Sequence, residues 1–114
     1  MAIYNLEERT LQFSQNLITF CYWLPKTNIN SPLINQVVRS GTSIGANYRE
    51  ANDGLGKKDS VHSLRIARKE AKETSYWLEL LLNSDSNFVL DLNPLIKECA
   101  ELRNILSSMI SKSK

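Results

Sequence analysis

Proline and glycine are scarce in this chain of 114 residues, three and four respectively. A sandwich or barrel of short strands needs a turn every few residues, and turns draw on those two residue types, so their scarcity argues against that class. Cysteine is scarce as well. Cys21 and Cys99 stand far apart, form no C-x-x-C unit and each falls among apolar neighbours. That setting predicts two reduced core thiols, with a disulfide between them as the other arrangement. There is one histidine. A di-iron bundle needs Glu-x-x-His pairs on two helices, and the residue three before His62 is Asp59. No glycine loop follows a strand to cradle phosphate, and no nucleophile motif stands in a recognisable context. The expectation is a protein that is no enzyme, with no catalytic residue, metal or cofactor.

Long apolar runs are also missing. No segment approaches the roughly 20 apolar residues that span a bilayer. The opening MAIYNLEERT carries acidic residues where a signal peptide has a basic region and an apolar run. Both observations predict a cytoplasmic protein without a membrane partner.

What the chain does contain reads as helix. At 42% hydrophobic content it is long enough to bury one modest core, which predicts a single domain over residues 1–114. Four amphipathic segments follow one another. Asn5 is placed to cap the first, LEERTLQFSQNLITFCYWL, whose first turn carries Glu7 and Glu8 and which Pro25 ends. The second, NSPLINQVVRSGTSIGANYREAN, starts at Asn30-Ser31-Pro32 and stops at Asn52-Asp53-Gly54. The third opens at Asp59 and runs to Asn83, and Asn93-Pro94 is the expected start of the fourth. Leu95, Cys99, Leu102, Leu106 and Met109 step along that last segment by four, three, four and three, the spacing of a bundle seam. Short connections favour antiparallel neighbours, so the expected architecture is an all-α, up-down-up-down four-helix bundle.

The formal net charge is only +2, but it is unevenly spread. Residues 39–72 carry eight Lys and Arg against four Asp and Glu, while the segment before is balanced and the one after is net acidic. At about 100° per residue along the third helix, Leu64, Ala67, Ala71, Thr74, Ser75, Leu78, Leu81 and Leu82 gather on one face. Lys58, His62, Arg65, Lys69 and Lys72 form a ridge almost opposite, with Tyr76 one turn further and Lys57 and Arg68 close by. Two readings fit this ridge: a solvated helix face that aids solubility, and a surface that contacts phosphate.

In the second helix, Gly41 and Gly45 fall on the apolar face with Leu33, Ile34, Val37, Val38, Ile44 and Tyr48. Each glycine costs about 1 kcal/mol against alanine in a helix interior, so close approach of a neighbouring helix is the expected compensation. Gln36, Arg39, Ser40, Ser43, Asn47 and Glu50 form a narrow polar row on the other side. Plain exposure accounts for such a row, and so does a seam between subunits in which Ser40 and Ser43 allow close approach while Arg39, Asn47 and Glu50 pair across it.

RSGTSIGANYREA, a short polar break, and then KKDSVHSLRIARKEAKETSYWLELL resemble the four-helix-bundle family of 23S ribosomal RNA intervening-sequence proteins. Members are often encoded within or near insertions in bacterial rRNA genes. The likeness covers roughly residues 33–82 and falls on Ser43, Ile44, Asn47 and Glu50, then on Lys58, Leu64, Ala67, Glu70, Ala71, Glu73, Trp77 and Leu78. NDGLGKK stands where many relatives have a more serine-rich link. The family is similar in fold to the accessory protein of diversity-generating retroelements, a strongly basic homopentamer that binds nucleic acid and a reverse transcriptase. The resemblance thus implies a homopentamer with an RNA- or DNA-linked role and attaches no catalytic role to any residue.

Two functions compete. In one, an oligomer contacts RNA or DNA phosphates through Lys57, Lys58, His62, Arg65, Arg68, Lys69 and Lys72. In the other, the oligomer is a scaffold that docks a protein such as a reverse transcriptase, and the ridge only keeps it soluble.

Overall fold

The computed structural model describes residues 5–54 and 56–113. Four helices follow in order: α1 over Leu6–Trp23, α2 over Asn30–Asn52, α3 over Lys57–Ser84 and α4 over Val89–Lys112, with one 3-10 turn at Ser86–Phe88 before α4. The bundle is elongated, 44 × 26 × 19 Å. Its long axis is set by α3, whose 28 residues extend about 42 Å at 1.5 Å per residue.

Helix directions follow from residue pairings. Along α2 and α3, Asn30 meets Ser84, Ser40 meets Thr74, and the Ala51 carbonyl accepts from Ser60 Oγ at 2.7 Å. One number falls as the other rises, so the pair is antiparallel. The same holds for α1 and α4, where Arg9 meets Glu98 and Phe20 meets Phe88, the residue just before α4.

Helix starts show where local chemistry overrides sequence pattern. Asn5 caps α1 as expected, its Oδ1 accepting from the Glu8 amide at 3.3 Å. At the other end of α1, Lys26 Nζ donates to the Cys21 and Leu24 carbonyls, both at 2.8 Å, a cation placed on the negative end of the helix dipole. The expected cap Asn30 lies inside α2 instead. Thr27 Oγ1 accepts the Asn30 amide at 3.0 Å, which frees the Asn30 side chain to donate to the Pro25 carbonyl at 3.1 Å. Helix α3 opens two residues before Asp59, at Lys57, after an extended Gly56. Helix α4 opens at Val89 and not at Asn93-Pro94, so Pro94 stands inside it. The turn at Ser86–Phe88 has already set the chain winding, and the proline removes only one hydrogen bond, the one its missing N–H would give the Leu90 carbonyl.

The core is continuous. Leu6, Phe13, Leu17 and Cys21 of α1 pack on Val37 and Ile44 of α2, Leu64, Ala67, Ala71, Leu78 and Leu81 of α3, and Leu92, Leu95, Cys99, Leu102 and Leu106 of α4. Ser75, Leu82 and Met109, expected among these, are only partly buried. Gly41 and Gly45 are buried and face α1. A Cβ on Gly41 would overlap Leu17 Cδ2, and one on Gly45 would lie 2.9 Å from Thr10 Oγ1 and 3.0 Å from Thr10 Cβ. Thr10 has little freedom to yield, because its hydroxyl donates to the Leu6 carbonyl at 2.6 Å. The close approach inferred from sequence is thus between α2 and the side chains of α1.

Both cysteines are free and buried. Cys99 Sγ donates to the Ala71 carbonyl at 3.2 Å and accepts from Ser75 Oγ at 3.4 Å. Burial pushes both thiols up from an ordinary 9.0 to about 11.

Gly45→Ala overpacks Thr10, at about 1–3 kcal/mol, against about 1 kcal/mol of helix propensity gained, so urea unfolding should show a net loss near 1 kcal/mol. Gly56→Ser, where an added Cβ meets nothing within 4 Å, should gain a few tenths of a kcal/mol by capping α3. Neither thiol should react with a disulfide reagent at pH 8 until denaturant is added, when both should. The folded chain holds its thiol protons up to about 11, whereas the unfolded chain releases them near 9, so stability should fall as pH rises through that window.

Candidate nucleic-acid interface

The rotation of α3 about its own axis decides which side chains reach solvent, and α2 fixes that rotation. Ser40 and Thr74 are fully buried between the two helices, their hydroxyl oxygens 2.8 Å apart, and Thr74 Oγ1 also bonds the Glu70 carbonyl at 2.7 Å. Beside this contact the Arg39 guanidinium reaches Glu70 Oε1 at 3.3 Å and Glu73 Oε1 at 2.8 Å. One arginine thus draws two carboxylates of α3 toward α2 and away from the outer face.

Lys58, His62, Arg65, Lys69 and Lys72 are all exposed on that outer face, as is Lys57, while Arg68 is half-buried. None of the seven forms an ion pair among the described residues, whereas Arg9, Arg39 and Arg49 all do. From Lys58 to Lys72 the ridge runs about 21 Å at 1.5 Å per residue. A duplex strand presents about one phosphate per 3.4 Å of axis, so the ridge matches roughly six of them. At the start of α3, Lys57, Lys58, His62 and Arg65, with the carboxylate of Asp59 among them, border a shallow hollow of about 540 Å³ beside the end of α4. Tyr76 continues the line, 55% exposed and edge-on to Trp77 with ring centroids 5.2 Å apart.

The polar row of α2 divides. Ser40, expected at a subunit seam, is inaccessible there because it is wholly buried against Thr74. Arg39, expected to pair across a seam, pairs with Glu70 and Glu73 of its own chain, because the antiparallel register of α3 sets them opposite it. Ser43 Oγ donates to the Arg39 carbonyl at 2.7 Å, and Asn47 Nδ2 to the Ser43 carbonyl at 2.9 Å, bonds back along their own helix. Of the five proposed seam residues, Glu50 is exposed and Ser43 and Asn47 are half-buried.

Two features escaped sequence reasoning. Arg9 grips Glu98 with two bonds, Nε at 3.1 Å and Nη2 at 2.7 Å, and reaches Glu101 at 3.1 Å, joining α1 to α4 across 89 and 92 residues of sequence. The Glu98 carboxylate raises the Arg9 guanidinium further above its ordinary range. The second is the exposure of Tyr22, Trp23 and Leu90, which sequence pattern alone assigns no role. Adjacent large apolar residues at a helix end, next to Leu24-Pro25 and before Asn93-Pro94, were the available signal. Among the described residues no group of three His, Cys, Asp or Glu side chains gathers to hold a metal, and no helix is long and apolar enough to cross a membrane.

The sequence profile of the 23S rRNA-intervening sequence protein family matches residues 5–108. This chain belongs to that family. A crystal structure at 1.70 Å of a protein of unknown function from the S23 ribosomal protein family of Bacteroides thetaiotaomicron VPI-5482 has the same fold, with a TM-score of 0.84 and 34% identity over 91% of this chain and 96% of that one. No match is found among curated proteins. The positions that carried the resemblance now have physical roles. Leu64, Ala67, Ala71 and Leu78 are core, Glu70 and Glu73 hold Arg39, and Lys58 stands on the ridge.

Arg39→Ala should cost about 1 kcal/mol in chemical unfolding, because Glu70 is only 14% exposed and loses its partner while Arg39 itself is half in solvent. No measurable loss would mean that the pair does not orient α3.

Proposed function

We propose that this protein is a non-enzymatic, oligomeric, RNA-associated protein of the cytoplasm whose α3 ridge contacts phosphate without reading bases. The observation that carries this reading is the unpaired state of the ridge: seven cationic or potentially cationic side chains lie along α3 with no ion pair among the described residues, while Arg39 holds two carboxylates of the helix, Glu70 and Glu73, and Asp59 alone stands beside the ridge at its start. A ridge serving only solubility gains nothing from that separation, since interspersed carboxylates solubilise equally well. Family membership adds an rRNA-linked gene context, and the fold likeness noted from sequence adds the homopentamer. Five copies of a weak phosphate surface become a usable one, because each contact after the first is made at high local concentration. DNA, which presents the same phosphates, is the alternative nucleic acid.

The scaffold reading, in which the oligomer docks a protein such as a reverse transcriptase, draws on a different observation: the exposed Tyr22, Trp23 and Leu90 at one end of the bundle. The lysines and arginines of α3 lie along its first sixteen residues, Lys57 to Lys72, away from that end, so the two readings can be tested separately.

Anisotropy titration of a structured RNA at low salt is expected to show binding that weakens steeply as salt rises. Arg65→Glu with Lys69→Glu should lower affinity by tenfold or more and flatten the log–log salt slope by about 1.5 to 2, close to one counterion for each phosphate no longer neutralised. Both residues are exposed, so the fold should survive the change. No affinity in the wild-type protein, or affinity untouched by the double reversal, would falsify the ridge as the binding surface.

A further inference from the structure

The end of the bundle where α1 finishes and α4 begins exposes Tyr22, Trp23 and Leu90 to 75%, 73% and 84% of their surface. Side chains this apolar and this open are costly to leave in water, and clustered they mark a contact surface. Trp23 and Leu90 border a groove of about 510 Å³ between α1 and α4, lined also by Phe20, Phe88, Pro94 and Leu95, with Asn16, Thr19 and Asp91 as its polar members. Its shape has a cause. The Arg9 fork to Glu98 and Glu101 ties the two helices together lower down, and above it the edge-to-face pair Phe20–Phe88, centroids 6.0 Å apart, spaces them.

The chemistry of the rim identifies the occupant. Asp91 is the charged residue among the groove's lining. The Leu90 carbonyl lies one residue away and lacks its helical donor, because Pro94 has no N–H to give it. No lysine or arginine is among the described residues that line the groove, and Lys26, three residues past Trp23, is spent on the Cys21, Tyr22 and Leu24 carbonyls. An apolar trough with two acceptors on its lip calls for a ligand that is apolar on one side and rich in cationic donors at its edge. The stretch Asn16–Trp23 along the groove spans about 10 Å, two turns of helix.

We infer that this groove takes one amphipathic helix from a partner protein, its apolar face laid between α1 and α4 and a Lys or Arg meeting Asp91 and the Leu90 carbonyl. A second copy of this chain, seated through a heterologous contact, is the competing occupant, and the test below separates the two. The site is separate from the α3 ridge, so its failure leaves the phosphate reading standing, and the reverse also holds.

The test uses the full chain and two synthetic helical peptides of about 14 residues with the same leucine face, one flanked by lysine and the other by glutamate. Trp23 reports, with Trp23→Phe giving the background from Trp77. The leucine–lysine peptide is expected to bind saturably and shift Trp23 emission to the blue, with the leucine–glutamate peptide about tenfold weaker. Asp91→Lys, a change at an exposed position, should reverse that order, and Leu90→Asp should weaken both. Equal binding of the two peptides, an order unchanged in Asp91→Lys, no saturable shift, or a blue shift that grows with protein concentration and no peptide, the mark of a second copy in the groove, would each overturn the inference.

Discussion

A buried contact between two hydroxyls, Ser40 on α2 and Thr74 on α3, sets the rotation of the longest helix, and most of the surface follows from it. A polar pair in a dry interface is tolerated only when both partners are satisfied, so it specifies one register where an apolar pair would accept several. With Thr74 turned toward α2, the 100° step of the helix sends Lys58, His62, Arg65, Lys69 and Lys72 outward on the opposite side. Arg39 completes the arrangement by holding Glu70 and Glu73 on the α2 flank. The bare ridge is therefore a consequence of interior packing, and the small residues of α2 that look like weak helix formers are what the packing requires.

The two sides of the bundle are built differently. Helices α2 and α3 share the most extensive of the helix interfaces and α1 and α4 the least extensive. Gly41 and Gly45 close the α1–α2 interface by admitting Leu17 and Thr10. The α1–α4 seam is instead pinned by a part-buried charged fork and opens into an aromatic trough beyond it. Charge and apolar exposure consequently lie apart, the hollow bordered by Lys57 and Lys58 near one end of a 44 Å molecule and Trp23 and Leu90 at the other.

Much of this was legible from residue spacing. The core face of α3 and its opposing ridge were readable because both repeat by three and four over several turns, which averages out any single misleading residue. The glycine positions were readable too, since a helix that carries poor formers on its apolar face needs a neighbour close by. Helix starts were harder. Asn30 looks like a cap by type, but Thr27 stands three residues earlier with its hydroxyl already in place. Pro94 looks like a start, but a proline is tolerated once a preceding turn has set the winding. The polar row misled for a different reason: Ser40 and Arg39 find their partners on α3, 34 and about 31 to 34 residues away, and no local pattern reveals such pairings. The Arg9 fork was illegible on the same ground.

Mapping amide chemical shifts of the protein on titration with a structured RNA tests the account most directly, because it reports location without altering a residue. Perturbations concentrated along the outer face of α3, from Lys58 to Lys72, with α1 and the Trp23–Leu90 end unmoved, are the predicted result. Perturbations centred on that aromatic end, or none at low salt, would contradict the claim that the packing of α2 on α3 presents a phosphate-binding ridge.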